Sequence, residues 1–377
     1  MMFDNHYHYS VGNKKTFEKL EAIMWATENN LPIKYHTPAW MARVPVHIEP
    51  TEDLDTLCLR SAQKIRDEYN YVRIWFSGGI DSTYMLDTFV DNNIHIDEII
   101  TVGSGVPRSD WEIDTVATPY LNHIRKKIPN TKITIKKPNI NDYRDWYRND
   151  YFFENHSKIG KTEGFYSMRL GRKLQSIQLY KNPRRTVNLV AFDKPCLIYR
   201  NNEWYTFFLD TFLDVQVGDS DNVYHLFYND DPLVFTKQCH ILKRNILKHI
   251  KDPVEYNQVC FNQAEKYQTL RNSCVRSRQG KPQKFILKSD IGVGEPGYEA
   301  ESFKESESLR FLHKFYPELY KKWLKGIDYL NMIGGGKWFN KNNARLGDVG
   351  VFAEFKSIDT NATKTIDELY PNGFYLQ

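Results

Sequence analysis

Between Ser77 and Thr83 the chain reads Ser-Gly-Gly-Ile-Asp-Ser-Thr. Hydroxyls, glycines and one carboxylate packed this closely suit the binding of a phosphate and its metal. The hydroxyls of Ser77, Ser82 and Thr83 can donate to phosphate oxygens. Gly78 and Gly79 let the backbone approach an anion closely. Asp81 would repel a phosphate unless a cation lay between them, so its presence points to a bridging Mg²⁺. No Gly-Lys-Ser/Thr follows the glycines, which excludes a Walker A loop.

The flanking residues supply the elements that would hold such a loop. Val72, Ile74, Trp75 and Phe76 form a short β-rich run, and Asp81 to Val90 has helical character. Strand, glycine turn and helix N-terminus leave backbone N–H groups aimed at one spot, with the helix dipole adding positive charge there. Ile96 to Val102 reads as a second buried strand, broken by Gly103-Ser-Gly105. The interval fits a right-handed βαβ unit, which sets both strand ends on the ligand-binding edge of a parallel sheet. The pattern predicts a helix over Asp114–Ile128 despite Pro119, and strands over Lys132–Lys136 and Thr186–Phe192.

The seven residues 77–83 resemble the PP-loop of the ATP pyrophosphatase (adenine nucleotide alpha-hydrolase-like) superfamily, in style nearest the synthetase domain of asparagine synthetase. Other members are GMP synthetase, NAD synthetase, tRNA lysidine synthetase and the sulfate-nucleotide reductases. The resemblance covers roughly residues 70–200, and the layout is also similar to PP-loop proteins of large tailed phages. It implies a parallel twisted sheet flanked by helices, of HUP/PP-loop type. It also implies ATP and Mg²⁺ as cofactors, and cleavage of ATP to AMP and pyrophosphate with adenylation of a substrate. Carried onto this chain, it makes Ser77, Gly78, Gly79, Asp81, Ser82 and Thr83 phosphate contacts. Val102, Gly103 and Ser104 become either adenosine contacts or a structural turn. A later strand in the family ends in a second active-site loop, and Asp193-Lys194-Pro195 stands in the comparable place. Asp193 is then an Mg²⁺ ligand and Lys194 a catalytic phosphate contact, or the pair belongs to an ordinary strand-end turn. Asp-Lys-Pro departs from the Gly-x-Gly-Ala-Asp-Glu of asparagine synthetases, which counts against an amide-forming member. The chain begins Met1-Met2-Phe3, without the N-terminal catalytic cysteine of the amidotransferases, so no built-in glutaminase is expected.

The rest of the chain sets bounds on this expectation. Its 377 residues allow two or three domain-sized units. We expect an N-terminal helical extension over 1–70, a nucleotide-binding α/β domain over 71–215 and a mixed α+β, mostly helical substrate or lid region over 216–377. In the first of these, helices are predicted over Lys14–Asn29 and Leu54–Tyr69, with Pro32, Pro38, Pro45 and Pro50 between them enforcing an extended connector. His6 and His8 read as solvated residues near a terminus rather than metal ligands. Asn201-Asn202 splits Ile198–Leu209 into a β-hairpin, and Val223–Tyr228 and Leu233–Phe235 read as short strands before a helix from Lys237 to Ile250.

Net charge is only +4, which excludes a globally polybasic nucleic-acid binder. Local basic character lies in acid-free segments, 164–192 (Arg169 to Arg185) and 271–288. Each is either the solvated face of a helix or a surface for phosphate, an acidic substrate, tRNA or DNA. Gly334-Gly-Gly-Lys-Trp-Phe-Asn-Lys341 is a plain loop or a lid whose Lys337 or Lys341 neutralises pyrophosphate. Five scattered cysteines, with the last at Cys274, fit reduced thiols in the cytoplasm and leave sulfur transfer or nucleotide reduction as weaker alternatives. No run of apolar residues is long enough to span a membrane. The remaining alternative is a non-catalytic nucleotide- or nucleic-acid-binding module. The acceptor is a small molecule or a nucleic acid, and assembly into a homo-oligomer stays open.

Overall fold

The computed structural model describes residues 7–17, 19–103, 113–137, 141, 185–191, 194–207, 222–256, 313–318, 320–321, 324, 328, 332, 339–340, 345–346, 355–369 and 371. Near the N-terminus, β1 (His8–Val11), β2 (Lys14–Thr16) and β3 (Ile33–His36) make a small antiparallel sheet in the order β2-β1-β3, with α1 (Lys19–Asn29) between its last two strands. Helices alone were expected here. Gly12, at φ +59°, turns the chain back on itself, so Lys14–Thr16 pairs with β1 and the helix starts five residues late. His8 is not solvated: it is buried on β1, its ring stacked on His36 at 4.7 Å. Burial and the neighbouring His8, Lys15 and Lys34 push His36 down to about 4. His6 lies outside the described residues.

A short α2 (Ala39–Arg43) interrupts the proline-rich connector before α3 (Leu54–Glu68). Asp53 caps α3 by accepting from the Thr56 N–H at 2.7 Å. The chain then enters its main sheet at the centre, with β4 (Tyr71–Trp75), α4 (Ile80–Asp91) and β5 (Glu98–Val102). A single π-turn (Ile113–Ala117) leads into α5 (Thr118–Ile124), and β6 (Lys132–Lys136) follows. The long helix expected over 114–128 divides because Pro119 lacks the N–H that would continue the α-ladder. β7 (Thr186–Val190) and, after the hairpin strands β8 (Cys196–Arg200) and β9 (Glu203–Phe207), β10 (Asn222–Leu226) complete the sheet. α6 (Pro232–His249) comes next. Leu233–Phe235 therefore belongs to a helix rather than a strand. Asp231 accepts from the N–H groups of Leu233 and Val234, and Pro232 opens the first turn, a start signal that outweighs the β-propensity of Val234 and Phe235.

All five strands of the main sheet run parallel, in the order β10-β7-β4-β5-β6. Numbered by their own succession this is 3-2-1-4-5, the doubly wound order, and it confirms an α/β architecture. The chain moves outward from β4 through β5 and β6, then returns to the other side of β4 for β7. The β4–β7 boundary is thus the topological switch point. On one face Val72, Ile74, Ile99, Val187 and Leu189 share a core with α3, α4, α5 and α6. Burying these side chains is the main driving force for closing that layer.

The opposite face carries a polar row. Arg73, 3% exposed, gives its Nε–H to Glu98 Oε2 at 2.8 Å, and Lys132 pairs with Glu98 Oε1 at 2.9 Å. Asn188 Oδ1 accepts from Arg73 Nη1 at 3.3 Å and Trp75 Nε1 at 3.1 Å, while its Nδ2 reaches the Val223 carbonyl at 3.4 Å. One chain of polar contacts thus crosses all five strands. Burial pushes the Glu98 carboxyl up, but the hydrogen bonds and charges of Lys132 and Arg73 outweigh it and hold the group below its ordinary value.

The β8–β9 hairpin does not extend the main sheet. It forms a second, antiparallel sheet with β13 (Phe355–Ser357) and β14 (Thr363–Lys364), in the order β14-β13-β9-β8; β11 (Phe339–Asn340) and β12 (Arg345–Leu346) pair separately. Asn201 and Asn202 both have positive φ, 51° and 65°, as a two-residue I′ turn demands. Lys356 Nζ donates to the Met41 and Val44 carbonyls, and the Lys243–Asp359 pair adds a link to α6, so the C-terminal strands are tied to the N-terminal connector. Among the described residues no helix is long and apolar enough to cross a membrane.

The polar row yields a stability test. Arg73→Met leaves Glu98 without one of its buried partners and should cost about 3–5 kcal/mol in urea unfolding. Because the folded carboxyl titrates below its unfolded value of 4.5, Glu98 contributes fully above that pH and less as pH falls through its folded value. The penalty of Glu98→Gln, measured from pH 7 to pH 3, should therefore be greatest at neutral pH and shrink in acid.

Candidate functional site

The glycine loop leaves the C-terminal end of β4, beside the switch point, where open α/β sheets bind ligands. Gly78 has φ +81° and lies so close to the start of α5 that a Cβ would meet Ala117 Cβ at 3.0 Å and its backbone nitrogen at 3.1 Å. Only glycine fits such a position without strain. Gly79 is the N-cap of α4 and provides no capping side chain. The first bond of the helix runs from Thr83 N–H to the Gly79 carbonyl at 3.0 Å. The N–H groups of Ile80, Asp81 and Ser82 thus fall outside the helix's own bonding. Asp53 and Asp231 close off the corresponding groups of α3 and α6 with their carboxylates; among the described residues no side chain caps those of α4, at the positive end of its dipole.

The loop holds itself in shape with its own hydroxyls. Ser82, only 4% exposed, accepts from Ser77 N–H at 3.3 Å, donates to the Gly79 carbonyl at 3.0 Å and touches Ser77 Oγ at 3.0 Å. Ser77 Oγ in turn accepts from Gly79 N–H at 3.2 Å. Ser82 therefore faces into the loop, whereas Ser77 lies at its exposed edge. Thr83 Oγ1 is buried and has no hydrogen-bond partner among the described residues.

Across the switch point, the loop after β7 brings Lys194 to Asp81. Its Nζ lies 2.6 Å from Asp81 Oδ2, and the lysine side chain is 4% exposed against 22% for the aspartate. The other carboxylate oxygen, Asp81 Oδ1, is buried and without a partner among the described residues. A pair predicted from separate motifs, 113 residues apart, thus meets at one point, next to the open N–H groups of α4. Val102 and Gly103 end β5 on the same edge, but Gly103 N–H is engaged by the Lys136 carbonyl at 2.8 Å and extends the sheet. Ser104, Asp193 and Lys337 lie outside the described residues, as do the basic segments 271–288 and, save residues 185–191, 164–192.

Two contributors lie outside the motifs. Tyr228, fully buried just past β10, donates its hydroxyl to the Asp81 carbonyl at 2.6 Å and stacks on Tyr84. Burial and the Asp81 charge hold its phenol well above the ordinary value, so it stays a donor. Ala117 supplies the wall against Gly78. Tyr228 carried a usable signal, since it closes a β-run just before a turn, and strand ends of a parallel sheet share an edge. Ala117 carried none.

The donor set can be tested against the expected metal. Among the described residues no three His, Cys, Asp or Glu side chains cluster. Mg²⁺ in nucleotide sites is commonly held by one or two carboxylates and the phosphates themselves, and Asp81, with one oxygen unused, fits that role. A comparison with protein families finds no family model that matches this chain, and a comparison with curated proteins finds no significant match.

The glycine geometry makes a graded prediction. Gly78→Ala should lose about 1–3 kcal/mol of stability from the positive φ and the Ala117 clash. Gly79→Ala, at an ordinary φ of −69°, should lose distinctly less. Urea unfolding of both variants measures the order.

Proposed function

We propose that the chain binds ATP at the end of β4 and cleaves it between the α- and β-phosphates, as an adenylating enzyme of the HUP/PP-loop type. The observation that carries this reading is the Asp81–Lys194 pair at the switch point, beside the uncapped N-terminus of α4. The open N–H groups of Ile80, Asp81 and Ser82, with Ser77 at the loop's exposed edge, provide donors for phosphate oxygens. Asp81 Oδ1 would hold Mg²⁺, which when bound supplies neutralising charge to the phosphates. Lys194 supplies a cation to the pyrophosphate as its bond to the α-phosphorus breaks.

In the reaction, a carbonyl or carboxyl oxygen of the acceptor attacks the α-phosphorus, and the bond to the bridging oxygen breaks. Pyrophosphate leaves with that electron pair. Ammonia or an amine then displaces AMP. The chain's part is positioning and charge, so no nucleophilic triad is needed. Tyr228 fixes the first turn of α4, keeping the donors in register with Asp81.

The test is the fate of α-labelled ATP with Mg²⁺, with and without a cell extract of small molecules and RNA. AMP and pyrophosphate are expected, reduced at least about a hundredfold in Asp81→Ala, in line with losing a principal charge-stabilising group. Formation of ADP and phosphate instead, or tight ATP binding without turnover, would overturn the adenylation reading.

A further inference from the structure

We infer that Lys194 is a built-in counter-cation that makes metal binding at Asp81 depend on the nucleotide. The inference rests on the reading of this edge as a nucleotide site, and it concerns the order in which the site fills. A divalent cation arriving alone finds the Asp81 carboxylate already engaged, with an ammonium 2.6 Å from Oδ2. That ammonium is almost wholly enclosed by protein, where charges are poorly screened and repulsion between two cations is strong. The metal must either displace the lysine from its ion pair or sit within its field. Both oppose binding.

A nucleotide changes the balance. Its phosphates offer the Lys194 ammonium a further anion, within reach because the α4 N–H groups that would hold them begin at the residue next to Asp81. As the ammonium turns to the phosphate, Asp81 is released to the metal. Metal and nucleotide then favour each other through one side chain, and linkage requires the effect to be reciprocal. Lys194 is in this sense a specificity-determining residue: it admits the metal–nucleotide complex and disfavours the free metal. Tyr228 supports the arrangement from below, since its bond to the Asp81 carbonyl keeps the carboxylate's backbone from following the lysine.

The experiment uses the full chain and counts bound Mn²⁺ by electron paramagnetic resonance, alone and with α,β-methylene-ATP, an analogue that cannot be cleaved at the α–β position. In the wild-type protein, Mn²⁺ should bind about tenfold or more tightly with the analogue than without it, in the range of ordinary site–site coupling. Lys194→Met should bind Mn²⁺ alone about tenfold more tightly than wild type, with the analogue's enhancement reduced. Lys194→Arg, which keeps the charge, should resemble wild type. Equal Mn²⁺ affinity with and without bound analogue in the wild type overturns the inference and leaves the nucleotide site standing. So does a Lys194→Met protein that binds Mn²⁺ alone no better than wild type. Should Lys194→Met fail to fold, the wild-type comparison decides. If equilibrium dialysis detects no analogue binding with or without Mn²⁺, the nucleotide reading itself fails, and this inference with it.

Discussion

A lysine ammonium that is nearly buried and a carboxylate in the first turn of a helix share one short contact across the switch point of a parallel sheet. Enclosing a charge in protein costs several kcal/mol unless it is paired, and the lysine, 4% exposed against 22% for the aspartate, carries most of that demand. The contact therefore constrains everything that carries it. The β4 loop must bend at Gly78 to start α4 where it does, and the β7 loop must fold back over the sheet edge. Tyr228 then fixes the carbonyl of the same aspartate from a third strand end. Three separate loops converge on one residue, Asp81.

The sheet beneath is built to keep those strand ends in register. A parallel strand buried on both faces is ordinarily apolar throughout. Here one face is apolar and the other bears Lys132, Glu98, Arg73 and Asn188 in a continuous polar row. Apolar packing sets the register by the alternation of faces, and the charge-paired hydrogen bonds add fixed partners across the strands. A shift of β7 against β4 by one residue would separate Asn188 from both Arg73 and Trp75, and it would move Lys194 relative to Asp81. The row thus ties the stability of the fold to the geometry of the site.

Much of the central fold was legible because its signals are local. The strands and helix around Ser77–Thr83, the run at 132–136 and the Asn201-Asn202 turn each follow from the residues within them, and each is found within a few positions of its expected place. The structure departs from the local pattern where two local signals compete. At 233–235 β-branched and aromatic residues spoke for a strand, while Asp231 and Pro232 spoke for a helix start. At Lys14–Thr16 a helical spacing was overridden by Gly12 and by pairing with β1. His8 was misjudged for a different reason: nearness to a terminus says nothing about whether a strand is covered, and its partner His36 is 28 positions away.

The candidate site divides in the same way. The types and spacing of residues 77–83 by themselves determined a glycine turn that leads from a strand into a helix, since such a turn is a property of a short segment. The family pattern points to Lys194 as a companion, but its distance from Asp81 depends on β7 lying beside β4 rather than at the far edge. Tyr228 joins only because β10 lies beyond β7. Strand order is set by long-range burial and by hydrogen bonds between segments more than a hundred residues apart, such as Arg73 to Asn188. The sequence alone could therefore place the glycine loop, whereas only the tertiary structure could decide which charge stands opposite it.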